Sequence, residues 1–182
     1  MFHSNTQRMI DYWRSLGRAS GAPLRSDFDP AAVTSLLPQT FMAGRAAGLP
    51  LRLAGGLIED LHGRSLRAES FLKLWAPESR AAVRDAAALC LSGREPAVLY
   101  AEARTESDER AGIELTLAAL TGPSGEIDRL LGLYQPISPL ARLGRESVVD
   151  LTHRLTVYAG AQVTAERGAH LKLAAVDGRR IA

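Results

Sequence analysis

Side chains that often carry chemistry are scarce in this chain of 182 residues. It has one cysteine, Cys90, and four histidines, which are His3, His62, His153 and His170. One cysteine allows neither an internal disulfide nor a thiolate cluster for zinc or an iron–sulfur group. Cys90 falls on the apolar face of a predicted helix, where a free cysteine is usually an unreactive core residue. We therefore expect no metal site and no reactive thiol.

Acidic and hydroxyl side chains do not form a catalytic pattern either. The neighbouring carboxylates of Glu59 and Asp60 point apart on a helix or strand, and Asp108 and Glu109 fall in a predicted hairpin loop, so solvated charges explain both pairs. Ser124 lacks the Gly-x-Ser-x-Gly spacing of a nucleophile elbow, and no glycine-rich phosphate loop occurs. The sequence predicts no catalytic residues, and we do not expect an enzyme.

A basic grouping, Arg64 and Arg67 with Arg52 nearby, is a candidate for contact with an anion or an acidic partner. A guanidinium group binds a carboxylate or a phosphate through two parallel hydrogen bonds. The alternative, which we favour, is structural. In that interpretation the arginines hold backbone carbonyls, or Glu59 and Asp60, and so fix the short helices of this region.

Hydrophobic periodicity predicts the elements that position these residues. A first helix runs from Ser4 or Asn5 to Leu16, and a longer one begins at Pro77 and ends before Gly93. Alternation of apolar and polar residues predicts five antiparallel strands, near residues 41–45, 49–54, 97–104, 113–118 and 129–135. A final helix is expected at residues 146–158, and residues 163–182 are expected to be loosely ordered.

The segment between the second strand and the long helix is predicted to turn sharply. Gly55 and Gly56 follow the strand, and we expect at least one of them to need a positive φ angle. Apolar anchors for short helices over one face of the sheet come next, at Leu57, Leu61, Leu66, Phe71, Leu72 and Trp75.

Several motifs occur in a recurring order between about residues 5 and 140. They are a first helix bearing Trp13, Arg25-Ser-Asp-Phe-Asp-Pro30, Leu36-Leu-Pro38, Arg52-Leu-Ala-Gly55, Gly63-Arg-Ser-Leu-Arg67 and Phe71-Leu-Lys-Leu-Trp75. This order resembles a small, mostly alphaproteobacterial family of stand-alone PAS-like proteins. The resemblance implies an α+β fold with a five-stranded antiparallel sheet and helices on one face. It divides the chain into an N-terminal helix (1–20), a PAS-like domain (21–139) and a helical or flexible tail (140–182).

The resemblance also implies a bacterial regulatory or sensory protein that acts through contacts with an unknown protein partner and forms a homodimer. We expect it in the cytoplasm, because no secretion signal and no apolar run of about 20 residues is present. A formal net charge of +2 gives little attraction for nucleic acid.

A small apolar ligand, bound without a covalent bond between the long helix and the sheet, is a further expectation. Candidate lining residues are Leu61, Phe71, Trp75, Val83, Ala87, Leu115, Leu117 and Leu133. The other inward strand positions are predicted at Leu99, Ala101 and Leu131. Haem and cysteinyl flavin are disfavoured as cofactors, because no histidine lies on the long helix and no cysteine lies at residues 57–75.

Two questions stay open. The first helix carries Met9, Trp13 and Leu16 on one stripe, which serves equally well as a dimer interface or as a face packed on the chain's own sheet. The alternative functions are a small cone-shaped α+β (NTF2-like) enzyme or carrier, and a ligand-free interaction scaffold.

Overall fold

Six antiparallel strands form one sheet, and helices cover both of its faces. The structure is a computed structural model that describes residues 1–17, 21–93 and 95–160. The α-helices are α1 (Ser4–Ser15), α2 (Gly56–His62) and α3 (Arg80–Leu91). The strands are β1 (Thr40–Gly44), β2 (Leu51–Ala54), β3 (Ala97–Thr105), β4 (Arg110–Thr121), β5 (Ile127–Pro136) and β6 (Val148–Tyr158). Short 3-10 helices occupy Arg25–Asp27, Pro30–Gln39, Phe71–Leu74, Pro77–Ser79 and Leu140–Leu143.

The strand order across the sheet is β2-β1-β5-β4-β3-β6. The five predicted strands are present as β1 to β5, and β6 adds a sixth at the edge beside β3. The helix predicted at residues 146–158 is therefore wrong. The segment is rich in β-branched residues, which favour extended backbone. Its pairing with β3 also satisfies backbone groups that a helix would leave unpaired at that edge. The segment predicted to be loosely ordered, residues 163–182, lies outside the described residues.

The two faces of the sheet differ in what covers them. One face is covered by α2, α3 and the 3-10 helix Phe71–Leu74, and its core includes Phe41, Leu115, Leu117 and Leu130. The other face is covered by α1 and the 3-10 helix Pro30–Gln39, over Ala119, Leu131 and Leu133. The expectation of helices on one face is corrected by this second cover. The prediction that Leu131 and Leu133 face α3 is wrong, because both lie on the α1 face. Leu130 and Tyr134 lie on the α3 face instead.

The first helix is attached to the sheet at both of its ends. Near its start, the backbone N–H of His3 donates to the carboxylate of Glu114, at 3.0 and 3.2 Å. Near its end, Trp13 Nε1 donates to the carbonyl oxygen of Ala119, at 2.7 Å. Met9 and Trp13 have no exposed surface, and Leu16 is half-buried. Met9 and Trp13 are therefore corrected from dimer-interface candidates to core residues of their own chain.

We predict that Trp13→Ala lowers the free energy of unfolding by about 3–5 kcal/mol, because it removes a fully buried aromatic side chain and leaves a cavity. Trp13→Phe should cost less, since it retains most of the apolar contact and loses the hydrogen bond to Ala119. Urea denaturation of both variants measures the difference. If Trp13→Ala changed the sedimentation coefficient and left the unfolding midpoint unchanged, α1 would be a dimer interface instead.

Of the glycine pair after β2, Gly55 is needed for close approach, and neither glycine has a positive φ angle. Gly55 has φ −71°, and Gly56 is the first residue of α2, so the predicted positive φ is wrong for both. A Cβ atom on Gly55 would lie 2.3 Å from the carbonyl oxygen of Leu37 and 2.4 Å from that of Pro38. The same atom on Gly56 would meet nothing within 4 Å.

These surroundings predict opposite results for two neighbouring substitutions. Gly55→Ala should destabilise the protein by about 1–3 kcal/mol, because backbone must move to admit the methyl group. Gly56→Ala should be neutral or stabilising by up to about 1 kcal/mol, since the helical backbone and the open space both accept alanine. Thermal melting of the two variants checks this, and equal midpoints would contradict it.

Candidate functional site

In the core between the sheet and the helices α2 and α3, three polar side chains have no hydrogen-bond partner among the described residues. They are His62, Trp75 and Tyr134, whose exposed fractions are 3%, 0% and 1%. The unpartnered atoms are both ring nitrogens of His62, Nε1 of Trp75 and the hydroxyl oxygen of Tyr134. A buried polar group without a partner costs about 1–3 kcal/mol. Their burial in one core is the feature that most clearly distinguishes this interior from an apolar one.

Local backbone structure places these side chains. His62 is the last residue of α2, and Gly63, with φ 65°, ends the helix in the left-handed conformation that glycine adopts readily. The ring of His62 meets the ring of Tyr134 edge-on, with centroids 6.1 Å apart. Tyr134 lies on β5 directly opposite Leu115 of β4.

Trp75 lies at one end of a row of three aromatic rings, which continues through Phe71 to Phe41. Phe41 stacks on Phe71 with centroids 5.0 Å apart, and Phe71 meets Trp75 edge-on at 5.9 Å. The backbone N–H of Ala76 donates to the carbonyl oxygen of Leu151, so Trp75 is also fixed to β6. The row needs Gly132, because a Cβ atom there would lie 2.0 Å from the ring of Phe41.

Burial sets the protonation states of this site. It lowers the pKa of His62 to about 4, and the positive charge of Arg64 adds to the lowering. The backbone of Val148, which lies near the ring but outside hydrogen-bond geometry, and the charge of Glu69 oppose this shift. Burial also raises the pKa of Tyr134 far above its ordinary value. At neutral pH the imidazole and the phenol are therefore both uncharged. Together with the indole N–H they offer hydrogen-bond donors and acceptors but no charge.

Most residues predicted to line a pocket share this core. Phe71, Trp75, Val83, Ala87, Leu115 and Leu117 are buried in it, and Leu61 is partly buried against it. Leu133 is the exception, because its side chain lies under α1 on the opposite face. Leu99 and Ala101 face the core as predicted.

A comparison with protein families agrees with this architecture. A family model described as PAS domain matches residues 1–135, well over half of the chain. The chain belongs to the PAS domain family. Membership in this family favours a sensory or regulatory role. It also excludes the cone-shaped α+β (NTF2-like) fold that the sequence had left open.

Solved structures of low sequence identity resemble this PAS domain. A light-oxygen-voltage domain studied with a flavin analogue has 16% identity and a TM-score of 0.48, over 59% of this chain and 83% of that one. The light state of the Aureochrome1 LOV photoreceptor has 13% identity and a TM-score of 0.46, over 62% and 91%. The PAS-B domain of Drosophila melanogaster Cycle, with bound glycerol, has 14% identity and a TM-score of 0.43, over 53% and 99%. No curated protein matches the chain.

The arginines of the PAS motif have structural partners or face solvent. Arg64 makes two hydrogen bonds of 3.2 Å to the carboxylate of Glu69, and Arg67 is exposed. Glu59 accepts hydrogen bonds from the backbone of Leu66 and the hydroxyl of Ser65, which hold the pKa of its carboxyl below the ordinary value. The favoured structural role is thus observed for Arg64, although its partner is Glu69 and not Glu59 or Asp60.

Cys90 lies in the core on α3, where burial raises the pKa of its thiol to about 11. Its thiol donates to the carbonyl oxygen of Leu117 at 3.4 Å. Over the described ranges of the chain, no group of three histidine, cysteine or acidic side chains is arranged to hold a metal ion. None of the helices in the same ranges has the length and hydropathy of a membrane span.

Sequence reasoning missed two of the three unpartnered groups. No pattern in the sequence marks His62 as buried, and the prediction that Leu133 lines the pocket assigns its neighbour Tyr134 to the opposite face. An apolar run on both sides of Tyr134 hides which residues face which way. The Gly63 that ends α2 is the one sequence signal that places His62 at the inner end of that helix.

Burial of neutral His62 predicts a loss of stability in acid. With an ordinary pKa of 6.5 when unfolded and about 4 when folded, the unfolded chain gains a proton first as the pH falls. Stability therefore declines between those two values, by about 2–3 kcal/mol from neutral pH to about pH 4.5.

Urea denaturation at both pH values measures this decline. His62→Phe should remove this part of the pH dependence, whereas His153→Phe, at a half-buried histidine of β6, should retain most of it. An unchanged pH dependence in His62→Phe would show that the imidazole is not buried in the neutral form.

Proposed function

We propose that this PAS domain is a regulatory sensor that binds a small uncharged molecule in its core beneath α2 and α3 and signals through protein contacts. The observation that supports the proposal is the burial of His62, Trp75 and Tyr134 without hydrogen-bond partners among the described residues. A ligand that supplies those partners would recover the cost of their burial, and the gain in free energy would couple ligand binding to the conformation of the domain.

The chemistry of the surrounding residues restricts the ligand. Phe71, Val83 and Leu115 supply apolar surface, so most of the ligand is apolar, as expected from the sequence. The polar groups are uncharged at neutral pH, so the ligand's polar end is neutral and both accepts and donates hydrogen bonds. Binding is non-covalent, because the one thiol of the core is protonated and donates its hydrogen bond to backbone.

Signal output through protein contacts and homodimer formation are parts of the same proposal. With Met9 and Trp13 buried, exposed apolar residues elsewhere are better candidates for the dimer surface. Val149 and Leu155, 39% and 55% exposed, lie on the edge strand β6. Edge strands offer unpaired backbone groups to a second chain. The buried free thiol fits a reducing compartment, which supports the cytoplasm as the location.

The rival function is a ligand-free interaction scaffold, and the same polar groups distinguish the two. In a scaffold, ordered water would supply the missing hydrogen bonds, and no molecule would accompany the protein through purification.

Native mass spectrometry of the gently purified protein tests the proposal. We expect an added mass that is released on denaturation, weakened in Tyr134→Phe and retained in Tyr100→Phe, a matched control at a half-buried tyrosine outside the core. An added mass that Tyr134→Phe retains in full would contradict the site. Without a ligand, Tyr134→Phe should raise the free energy of unfolding by about 1 kcal/mol, because it removes an unpaired buried hydroxyl. That result, with no added mass, would favour the scaffold.

A further inference from the structure

A concave site lies on the surface between α3, the β1–β2 connection and the 3-10 helix Phe71–Leu74. Its volume is about 620 Å³, within the range of ligand sites, and it is open to solvent. Four basic side chains line it, namely Arg45, Lys73, Arg80 and Arg84, and no acidic residue lines its described part. We refer to it as the basic cleft.

The charge of the basic cleft is concentrated and partly pre-oriented. Four positive charges meet here, in a chain whose formal net charge is +2. Nη1 of Arg45 donates to the carbonyl oxygen of Ile127 at 3.0 Å, and Nε of Arg80 donates to that of Trp75 at 2.9 Å. These bonds hold each guanidinium by one nitrogen and leave two others for an anion. Lys73 and Arg84 are exposed and make no ion pair within the described chain.

The floor of the basic cleft is aliphatic. Along α3, one stripe at helical spacing runs from Arg80 and Arg84 to Ala87, Ala88 and Leu91, so it begins basic and ends apolar. The opposite wall adds Leu49 and Leu72. No aromatic ring lines the described cleft, so a nucleotide base would have nothing on which to stack. An occupant therefore needs carboxylates near one end and aliphatic side chains near the other.

We propose that the basic cleft docks a segment of a partner protein that combines acidic and aliphatic residues. The inference rests on the proposed output through protein contacts and identifies the chemistry of the partner. Complementary charge selects the segment, and the shallow aliphatic floor sets its register. The open shape suits a peptide laid across the surface better than a small molecule, most of whose surface would be buried.

Fluorescence anisotropy with labelled synthetic peptides tests this proposal on the full chain. Three peptides of equal length are compared: one rich in Glu and Leu, one in Glu and Ser, and one in Lys and Leu. We expect the Glu/Leu peptide to bind most tightly, the Glu/Ser peptide more weakly and the Lys/Leu peptide not at all. Binding of the Glu/Leu peptide should weaken as salt is added. If the Glu/Leu peptide does not bind at low salt, or binds no better than the Glu/Ser peptide, the proposal is wrong.

Charge reversal locates the site. The double variant Lys73→Glu with Arg84→Glu should lower the affinity for the Glu/Leu peptide by about tenfold or more. Arg142→Glu with Arg145→Glu, at exposed positions outside the cleft, changes the net charge equally and should have little effect. Both pairs are exposed, and circular dichroism confirms that each variant folds. Equal weakening by the two pairs would reduce the binding to non-specific attraction and overturn the proposal.

Competition with inorganic pyrophosphate separates a peptide site from a simple anion site. Displacement of the Glu/Leu peptide by low concentrations of pyrophosphate would overturn the peptide proposal. The charge-reversal variants test the basic cleft separately from the core, because Lys73 and Arg84 do not belong to the core. If no molecule co-purifies but the peptide binds, only the core site is disproved. If a molecule co-purifies but the peptide does not bind, only the basic cleft is disproved.

Discussion

The sheet is buried on both faces, and this constraint governs the rest of the structure. β4 and β5 run through the centre with nearly every side chain covered, by α1 on one face and by α2 and α3 on the other. A sheet with only one covered face would leave α1 free to pair with another chain. Because both faces are covered, Met9 and Trp13 are buried against the chain's own sheet. Polar side chains of the central strands must then find hydrogen-bond partners inside the protein.

The same constraint explains which parts of the fold could be predicted from the sequence. The positions of β1 to β5 and of α3 were predictable, because turns and periodicity mark where an element begins and ends. The face on which each side chain lies was predictable for β3, because the polar residues Tyr100, Glu102 and Arg104 alternate with more deeply buried neighbours. It was not predictable on β5, because an apolar run on both faces carries no alternation, and Leu133 was therefore assigned in place of Tyr134.

The strand β6 failed for a different reason. Val148, Leu151 and Leu155 fit a helical stripe as well as they fit a strand, and local spacing cannot choose between them. The choice depends on the unpaired edge of β3, about fifty residues earlier in the sequence, which β6 satisfies along nearly its whole length. The prediction of a positive φ angle at Gly55 failed for a similar reason. Glycine is needed there because the backbone of Leu37 and Pro38, which is distant in sequence, lies too close for a side chain.

The two candidate sites share α3. Ala87 is buried in the core and also lines the basic cleft, so its helix separates an interior that suits a neutral molecule from a surface that suits an acidic segment. A displacement of α3 by a core ligand would change the spacing of Arg80 and Arg84 at the surface. Such a shared element would couple the two binding events, and the coupling free energy would be the same in both directions.

The central claim is that the buried polar groups of the core hold a ligand. A high-resolution crystal structure of the natively purified protein tests it most directly. If the core holds a ligand, electron density for a small molecule will lie within hydrogen-bond distance of the Tyr134 hydroxyl and a ring nitrogen of His62. A core in which His62, Trp75 and Tyr134 are bonded only to one another or to ordered water would contradict it.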